Sequence, residues 1–420
     1  FGPAYENFRT TLRAFLDANR ERAPRGGMVA GGGGSKDAAV LAWQTLLIEH
    51  GYAARTIPKT YGGHGAEPDV LERVIIDEEF ARAGVSQGVG GQGPEMLVPT
   101  LLEHGSEEHK ERWIGPTIRG EVVWCQGYSE PNAGSDLANV QTRAAEDGDH
   151  FVINGQKIWT TTAHLADMMF GLIRTEPGEG KHGGLSYVLI PMTTPGIEVR
   201  PLNTMTGRAE FNEVFFTDVR VPQSNVVGKR GEGWKIANTT LKHERNMLAS
   251  SGVLESAFAR LVDAMKSETR DGRRAIDDPV LRDRLLKLQA RVVAAKYHSM
   301  RIVTCALRKE FPGQPGTSQG AAPFVTKLWG CELSHQIAAL AIDAMGEFGV
   351  LYDGSKHERA FGLWQFQYMF SLGLIIGGGT AQIQKNIIAE RGLEMPREPK
   401  LAKISDAAKA TADMPRHKQG

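Results

Sequence analysis

A chain of 420 residues with 41% hydrophobic and 23% charged residues carries enough apolar mass for two or three packed domains, without metal or disulfide staples. Lysine plus arginine and aspartate plus glutamate balance at 49 each, which leaves no basic field for nucleic acid or an anionic membrane surface. No apolar run reaches the roughly 20 residues of a bilayer span, and the chain from Phe1 onward shows no signal-peptide pattern.

From the N-terminus, apolar residues recur at three- and four-residue spacing over 4–19, 38–50, 68–83 and 107–114, and predict an all-helical domain over 1–120. The glycine-rich stretch 26–35 reads as a mobile surface loop, because no strand precedes it and no Gly-Lys-Ser/Thr closes it as in a phosphate cradle. From Val122 the pattern changes to short β runs at 122–125, 150–153, 156–161, 186–190 and 213–216. They predict a middle antiparallel, barrel-like β domain over 121–232. Asp147-Gly148-Asp149 and Asn154-Gly155 read as its turns, the second being a strong hairpin signal. Long helical patterns return over 234–268, 279–309, 322–345 and, after a less regular stretch, 382–391. They predict a C-terminal four-helix bundle over 233–398 with oligomer contacts. The segment 399–420 has no clear apolar face and reads as a disordered tail. Cys125, Cys305 and Cys331 lie far apart with no metal-ligand spacing, so buried free thiols in a reducing cytoplasm are expected.

Mainly α with a central β domain is an uncommon order, and three motifs accompany it. Gly127-Tyr128-Ser129-Glu130-Pro131-Asn132-Ala133-Gly134-Ser135-Asp136 precedes Asn154-Gly155-Gln156-Lys157-Ile158-Trp159-Thr160-Thr161. Near the C-terminus a glycine-rich turn, Ile375-Ile376-Gly377-Gly378-Gly379-Thr380-Ala381-Gln382-Ile383-Gln384, opens a helical run. Over nearly its whole length the chain resembles the acyl-CoA dehydrogenase family. That resemblance implies FAD, an acyl-CoA substrate and an electron-transfer flavoprotein as oxidant. A flavin ring needs an aromatic or apolar wall and hydrogen-bond donors along its polar edges. By resemblance Trp159 packs on the ring, Thr161 bonds near N5, and Tyr128 and Ser129 line the pyrimidine side. Thr380 and Gln382 contact the flavin from the glycine turn, and Ser135 touches the acyl-CoA.

Dehydrogenation beside a thioester needs a base and an enolate stabiliser. Most family members carry a glutamate just before the last glycine of the turn, and that position is Gly378 here. A minority branch, with the isovaleryl-CoA and long-chain enzymes, places its glutamate on the helix that opens the C-terminal domain. Leu241-Lys242-His243-Glu244-Arg245 stands at that place, which makes Glu244 the expected base. Arg245, about 100 degrees further round the helix, is expected to anchor the helix and to serve the substrate side. In the family the backbone amide at the turn glutamate's position holds the thioester oxygen, and a backbone donor survives loss of a side chain, so by resemblance Gly378 still offers its amide there and leaves room for a branched or cyclic acyl group.

The pattern departs at the flavin's adenine half. In homotetrameric members a neighbouring subunit grips it through an arginine and aromatic pair and a glutamine before a glycine pair. Asp278, Leu281 and Gly346 stand at those places, with Arg282 one turn on as a candidate substitute. Bacterial members that attack steroid side chains as α2β2 heterotetramers show such divided equipment. A homotetramer and an α2β2 heterotetramer both remain open. So do two other readings: a flavin monooxygenase or oxidase on this fold, and a non-catalytic partner subunit.

Overall fold

The chain opens with helices α1 (Pro3–Asn19), α2 (Ala38–Glu49), α3 (Val70–Ala83), α4 (Val98–His104) and α5 (Glu107–Ile118). This computed structural model describes residues 2–24, 36–247, 251–270, 272–308 and 322–397. Helix ends follow local chemistry. Asp69 accepts from the Leu71 and Glu72 amides to start α3, Gly84 at φ 64° stops it, and Ser106 caps α5. A π-helical turn, Gln92–Leu97, runs directly into α4.

Strands β1 (Trp124–Gly127), β2 (Arg143–Asp147), β3 (His150–Thr161), β4 (Met168–Arg174), β5 (Leu185–Pro191), β6 (Ile197–Leu202), β7 (Phe211–Pro222) and β8 (Val226–Val227) form one sheet. Their order is β6-β7-β3-β2-β4-β5-β8, with β1 beside β4. The pairings are antiparallel apart from β1–β4 and a single β2–β4 position. Asn154-Gly155 is not a hairpin turn: both lie inside β3, where the register against β7 slips between Ile153 and Gly155. A Cβ at Gly155 would meet Thr142 Oγ1 at 2.5 Å, so the glycine marks a close backbone approach at an irregularity and not a reversal. The reversal lies at Gly148, φ 64°, between β2 and β3.

The C-terminal part holds α6 (Gly233–Met247), α7 (Ser251–Ser267), a hairpin of β9 (Thr269–Arg270) and β10 (Arg273–Arg274), then α8 (Pro279–Leu307), α9 (Ala322–Met345), α10 (Leu363–Ile376) and α11 (Ala381–Ile387). The predicted run 234–268 is thus carried by α6 and α7. Helix α10 lies in the stretch read as irregular. Its sequence, LWQFQYMFSLGLII, is apolar almost all round and shows no stripe.

Leu254, Leu261, Leu285, Leu333, Ile337 and Trp364 belong to the bundle core. A second core of Met96, Leu101, Trp124, Phe170, Tyr187 and Ile236 joins the α4 region, the sheet and α6, so α6 is held between the other two domains. Cys125 and Cys331 are buried and Cys305 half-buried, all as free thiols. The stretch 26–35 and the tail 399–420 lie outside the described residues. Among those described, no helix is long and apolar enough to cross a membrane.

Candidate active site

Helix α6 is anchored one turn before it reaches Glu244. Thr240, fully buried, meets the Thr100 hydroxyl of α4 at 2.9 Å, and Thr239 meets His104 Nε2 at 2.9 Å. Glu244 follows Thr240 by four residues and so emerges on the same face. The Gln126 side-chain amide donates to Glu244 Oε2 at 3.3 Å, while the Gln126 backbone amide donates to Gln92 Oε1 at 3.1 Å. The π-helical turn, β1 and α6 therefore meet at the half-buried carboxylate. Arg245 is on α6, and its side chain lies outside the description.

The glycine turn joins α10 to α11. Gly378 and Gly379 take φ of 63° and 95°, a region glycine enters without a Cβ clash, and the Thr380 hydroxyl accepts from the Ile383 amide to start α11. Two buried side chains hold the carbonyls of this turn. Lys327 of α9, 2% exposed, donates to Ile375 O at 3.2 Å and to Gly379 O at 2.7 Å. Gln384, 1% exposed, donates to Gly378 O at 2.9 Å. The amides of Gly378 and Gly379 have no acceptor among the described residues. Burial lowers the pKa of the Lys327 ammonium, opposed by Cys331 and by Glu244, so Lys327 lies within electrostatic reach of the carboxylate.

On β3, the wholly buried Lys157 donates to Glu130 Oε1 at 2.8 Å, Leu172 O at 2.7 Å and Tyr128 O at 3.1 Å. Glu130 also accepts from the amides of Gln141 and Thr142 at 2.5 and 2.9 Å. Burial opposes the charge of Glu130, but Lys157 and these donors keep its pKa below the ordinary value; burial brings Lys157 down to about 8. The 2.8 Å contact and the donors converging on Glu130 make this a buried salt bridge. It ties the 128–134 segment to β3, and the Ile158 amide adds a bond to Ser129 O at 2.9 Å.

Pairing of β3 with β7 breaks between Lys157 and Thr160, Trp159 takes φ 60°, and its indole stands 58% exposed. Phe211 meets that indole edge-on at 6.0 Å and stacks on Phe370 of α10 at 6.4 Å. The aromatic wall is thus continuous with the helix that ends in the glycine turn. Thr161 is half-buried on the same strand, and the buried Thr160 hydroxyl has no partner. An exposed indole backed by a second ring, with Thr161 two residues on along the strand, fits one face of a planar isoalloxazine.

Tyr128 is buried edge-on to Phe170 and Tyr187 at 6.1 and 6.3 Å, its hydroxyl lying beside those of Tyr187 and Thr240. Ser129 is half-buried, Gln382 is exposed on α11, and Ser135 is exposed beside Asp136, which pairs with Lys181 at 2.7 Å. Sequence reading passes over Gln92, Gln126 and Lys327, and notes Gln384, Lys157 and Glu130 only as letters of motifs. Lys327 had a signal, a lone cation in the apolar run APFVTKLWGC. Gln126 had none, because its partner comes from a helix over a hundred residues away.

Family models described as the N-terminal, middle and C-terminal domains of acyl-CoA dehydrogenase match residues 3–121, 125–219 and 231–393. The chain is similar to acyl-CoA dehydrogenase IpdE1 of Mycobacterium tuberculosis, 39% identical over 403 residues that cover 94% of this chain and 99% of that protein. Among solved structures it is similar to the Tcur3481-Tcur3483 steroid ACAD, with a TM-score of 0.76 and 28% identity over 95% of this chain and 99% of that one. The ChsE4-ChsE5 complex from Mycobacterium tuberculosis gives 0.76 and 29% over the same shares. Because all three domain models match in chain order over nearly the whole chain, the chain belongs to the acyl-CoA dehydrogenase family of oxidoreductases.

Proposed function

We propose that this acyl-CoA dehydrogenase acts on a bulky acyl group of the branched or steroid side-chain class, with Glu244 taking the α proton and the Gly378 amide serving the thioester oxygen. One observation carries the reading. A carboxylate on α6, oriented by Gln126, accompanies a glycine turn that has no carboxylate of its own and whose amides are unengaged. An amide donor aimed at the developing oxyanion in a dry site contributes about 3–4 kcal/mol of transition-state stabilisation. The missing side chain at Gly378 vacates space beside the reacting carbons, and a relative named as a steroid ACAD supports the bulky class.

Bound FAD supplies the acceptor for the β hydride. In this reading Trp159 faces its ring, Thr161 and Ser129 serve its polar edges, Tyr128 lines the pyrimidine side through its backbone alone because its ring is buried in the core, and Thr380 and Gln382 approach from α11. Ser135 and Arg245 belong to the acyl-CoA side, and electron-transfer flavoprotein is the expected oxidant. Glu244→Gln tests the assignment. The variant should keep its flavin absorbance, near roughly 450 nm, and lose about 10²- to 10⁴-fold in turnover. Turnover near that of the parent would remove Glu244 as the base.

A companion chain is supported by the adenine half. Asp278 accepts from the Val280 and Leu281 amides at 2.8 and 3.0 Å, so its own carboxylate occupies the start of α8 where an anionic diphosphate would otherwise be favoured. The adjoining cavity of about 600 Å3 is lined by Arg270 and Arg284. Arg284 pairs with the Asp343 carboxylate at 2.7 Å, and Arg270 donates to its carbonyl at 3.2 Å. Arg282 is exposed. The chain thus carries the isoalloxazine half of a site and takes the adenine half from a homologous partner, in line with a relative solved as the ChsE4-ChsE5 complex. Flavin content of the chain purified alone and co-expressed with such a homologue tests this. Full flavin occupancy in a homo-oligomer would refute it.

A further inference from the structure

We propose that Lys327 and Gln384 are positioning residues that set the thioester-oxygen site, by clamping the carbonyl side of the glycine turn so that its amide side faces the substrate. This rests on the reading of Gly378 as that site.

A turn of three glycines, two of them at positive φ, has the softest backbone the chain can offer. A hydrogen-bond donor that discriminates a transition state must nevertheless be held to within about 0.5 Å. The stiffness has to come from neighbours. Each peptide unit is planar and trans, so its carbonyl and its amide point in opposite directions. Gln384 draws the Gly378 carbonyl to one side and thereby directs the Gly379 amide to the other. Lys327 holds the carbonyls at both ends of the turn, Ile375 and Gly379, with one ammonium. The Gly378 amide lies between these fixed points and has no acceptor among the described residues.

A lysine bonded to backbone carbonyls inside the bundle is not a low-energy choice for stability alone. Burial disfavours its charge, and an apolar residue of the same length fills such a position without that penalty. What the charge adds is a cation bonded to the carbonyls of the turn. Hydrogen bonding at a carbonyl polarises its own peptide unit, so Gln384 strengthens the Gly379 amide and Lys327 the Thr380 amide as donors, while the Gly378 amide, whose unit carries the Gly377 carbonyl, is set by the geometry of the held turn. Gln384 is likewise under-used as a core residue: its Oε1 is buried with no partner, so of the two ends of this side chain only the amide that grips Gly378 is engaged.

The test compares two ligands in a Glu244→Gln background, which prevents turnover. One is cholanoyl-CoA, a steroid-acid thioester; the other is the matching S-alkyl-CoA thioether, which lacks the carbonyl oxygen. Calorimetric Kd values are taken for both with Lys327, Lys327→Met, Lys327→Arg and Gln384→Leu. The thioester should bind tighter than the thioether in the background protein. Lys327→Met should shrink that ratio by about tenfold or more, on the scale of a misplaced oxyanion donor, while the thioether Kd holds. Lys327→Arg, which keeps the cation, should recover part of the ratio, and Gln384→Leu should lose part of it. Equal loss for both ligands, or an unchanged ratio in Lys327→Met, would overturn the clamp. If Lys327→Met fails to fold, Lys327→Arg and Gln384→Leu decide between the same outcomes. Bleaching of flavin by cholanoyl-CoA in the Glu244→Gln background would instead count against Glu244 as the base, and leaves the ligand ratio as a separate readout.

Discussion

Replacing Lys157 by Met asks how much of the flavin-side architecture depends on one buried ion pair. The side chain has no exposure, and its ammonium makes three bonds, to Glu130, Tyr128 O and Leu172 O. Removing one member of a buried pair costs about 3–5 kcal/mol, because the other charge is left in a poor solvent. Glu130 would keep the Gln141 and Thr142 amides, and Met keeps most of the lysine stem, so the lower end of about 3 kcal/mol applies. Urea unfolding followed by far-UV circular dichroism measures the loss. Ser129 and Trp159 sit on the two segments the pair joins, so flavin content should fall with it. The double variant Lys157→Met, Glu130→Gln should regain at least about 1 kcal/mol, since no charge is then stranded. Stability within about 0.5 kcal/mol of the parent, or a double variant no better than the single one, would refute the reasoning.

Gln126→Leu removes the amide that orients Glu244, a long bond of 3.3 Å to a charged acceptor. At about 1–1.5 kcal/mol, it should lower kcat about tenfold with flavin retained, read as the rate of anaerobic flavin bleaching; an unchanged rate would show the contact to be idle. In the N-terminal domain the buried Glu79 meets Arg9, Arg13 and Arg82. Burial pushes its pKa up, but the guanidiniums prevail and bring it down from 4.5 to about 2. Since the folded value is the lower one, this stabilisation is complete above pH 4.5 and is lost as the pH falls toward 2. The thermal-midpoint gap between parent and Glu79→Gln should therefore be wide at neutral pH and close in acid. A gap independent of pH would exclude the arginine cluster as its source.

The three-part architecture was legible because period and composition change sharply along the chain, from helical spacing to short β runs and back. The errors have local causes. Asn154-Gly155 carries a hairpin signature, yet tertiary contact with Thr142 uses the glycine for close approach inside one long strand. Helix α10 escaped notice because its residues are apolar almost all round, so no amphipathic period marks it in the sequence.

What the sequence by itself determined is the chemical inventory: a carboxylate at 244, no carboxylate at 378, an indole and two threonines on one strand, and an aspartate at 278. Those are properties of single positions, and they do not depend on what lies nearby in space. Only the tertiary structure decided how the inventory is aimed. Gln126 reaches Glu244 because β1 and α6 pack on one core. Lys327 reaches the glycine turn because α9 lies against α10 and α11. Trp159 is turned outward by a break in pairing with a strand some fifty residues on. Hydrogen bonds act over about 3 Å, so their partners are set by packing between distant segments, and periodicity along one chain carries no record of them.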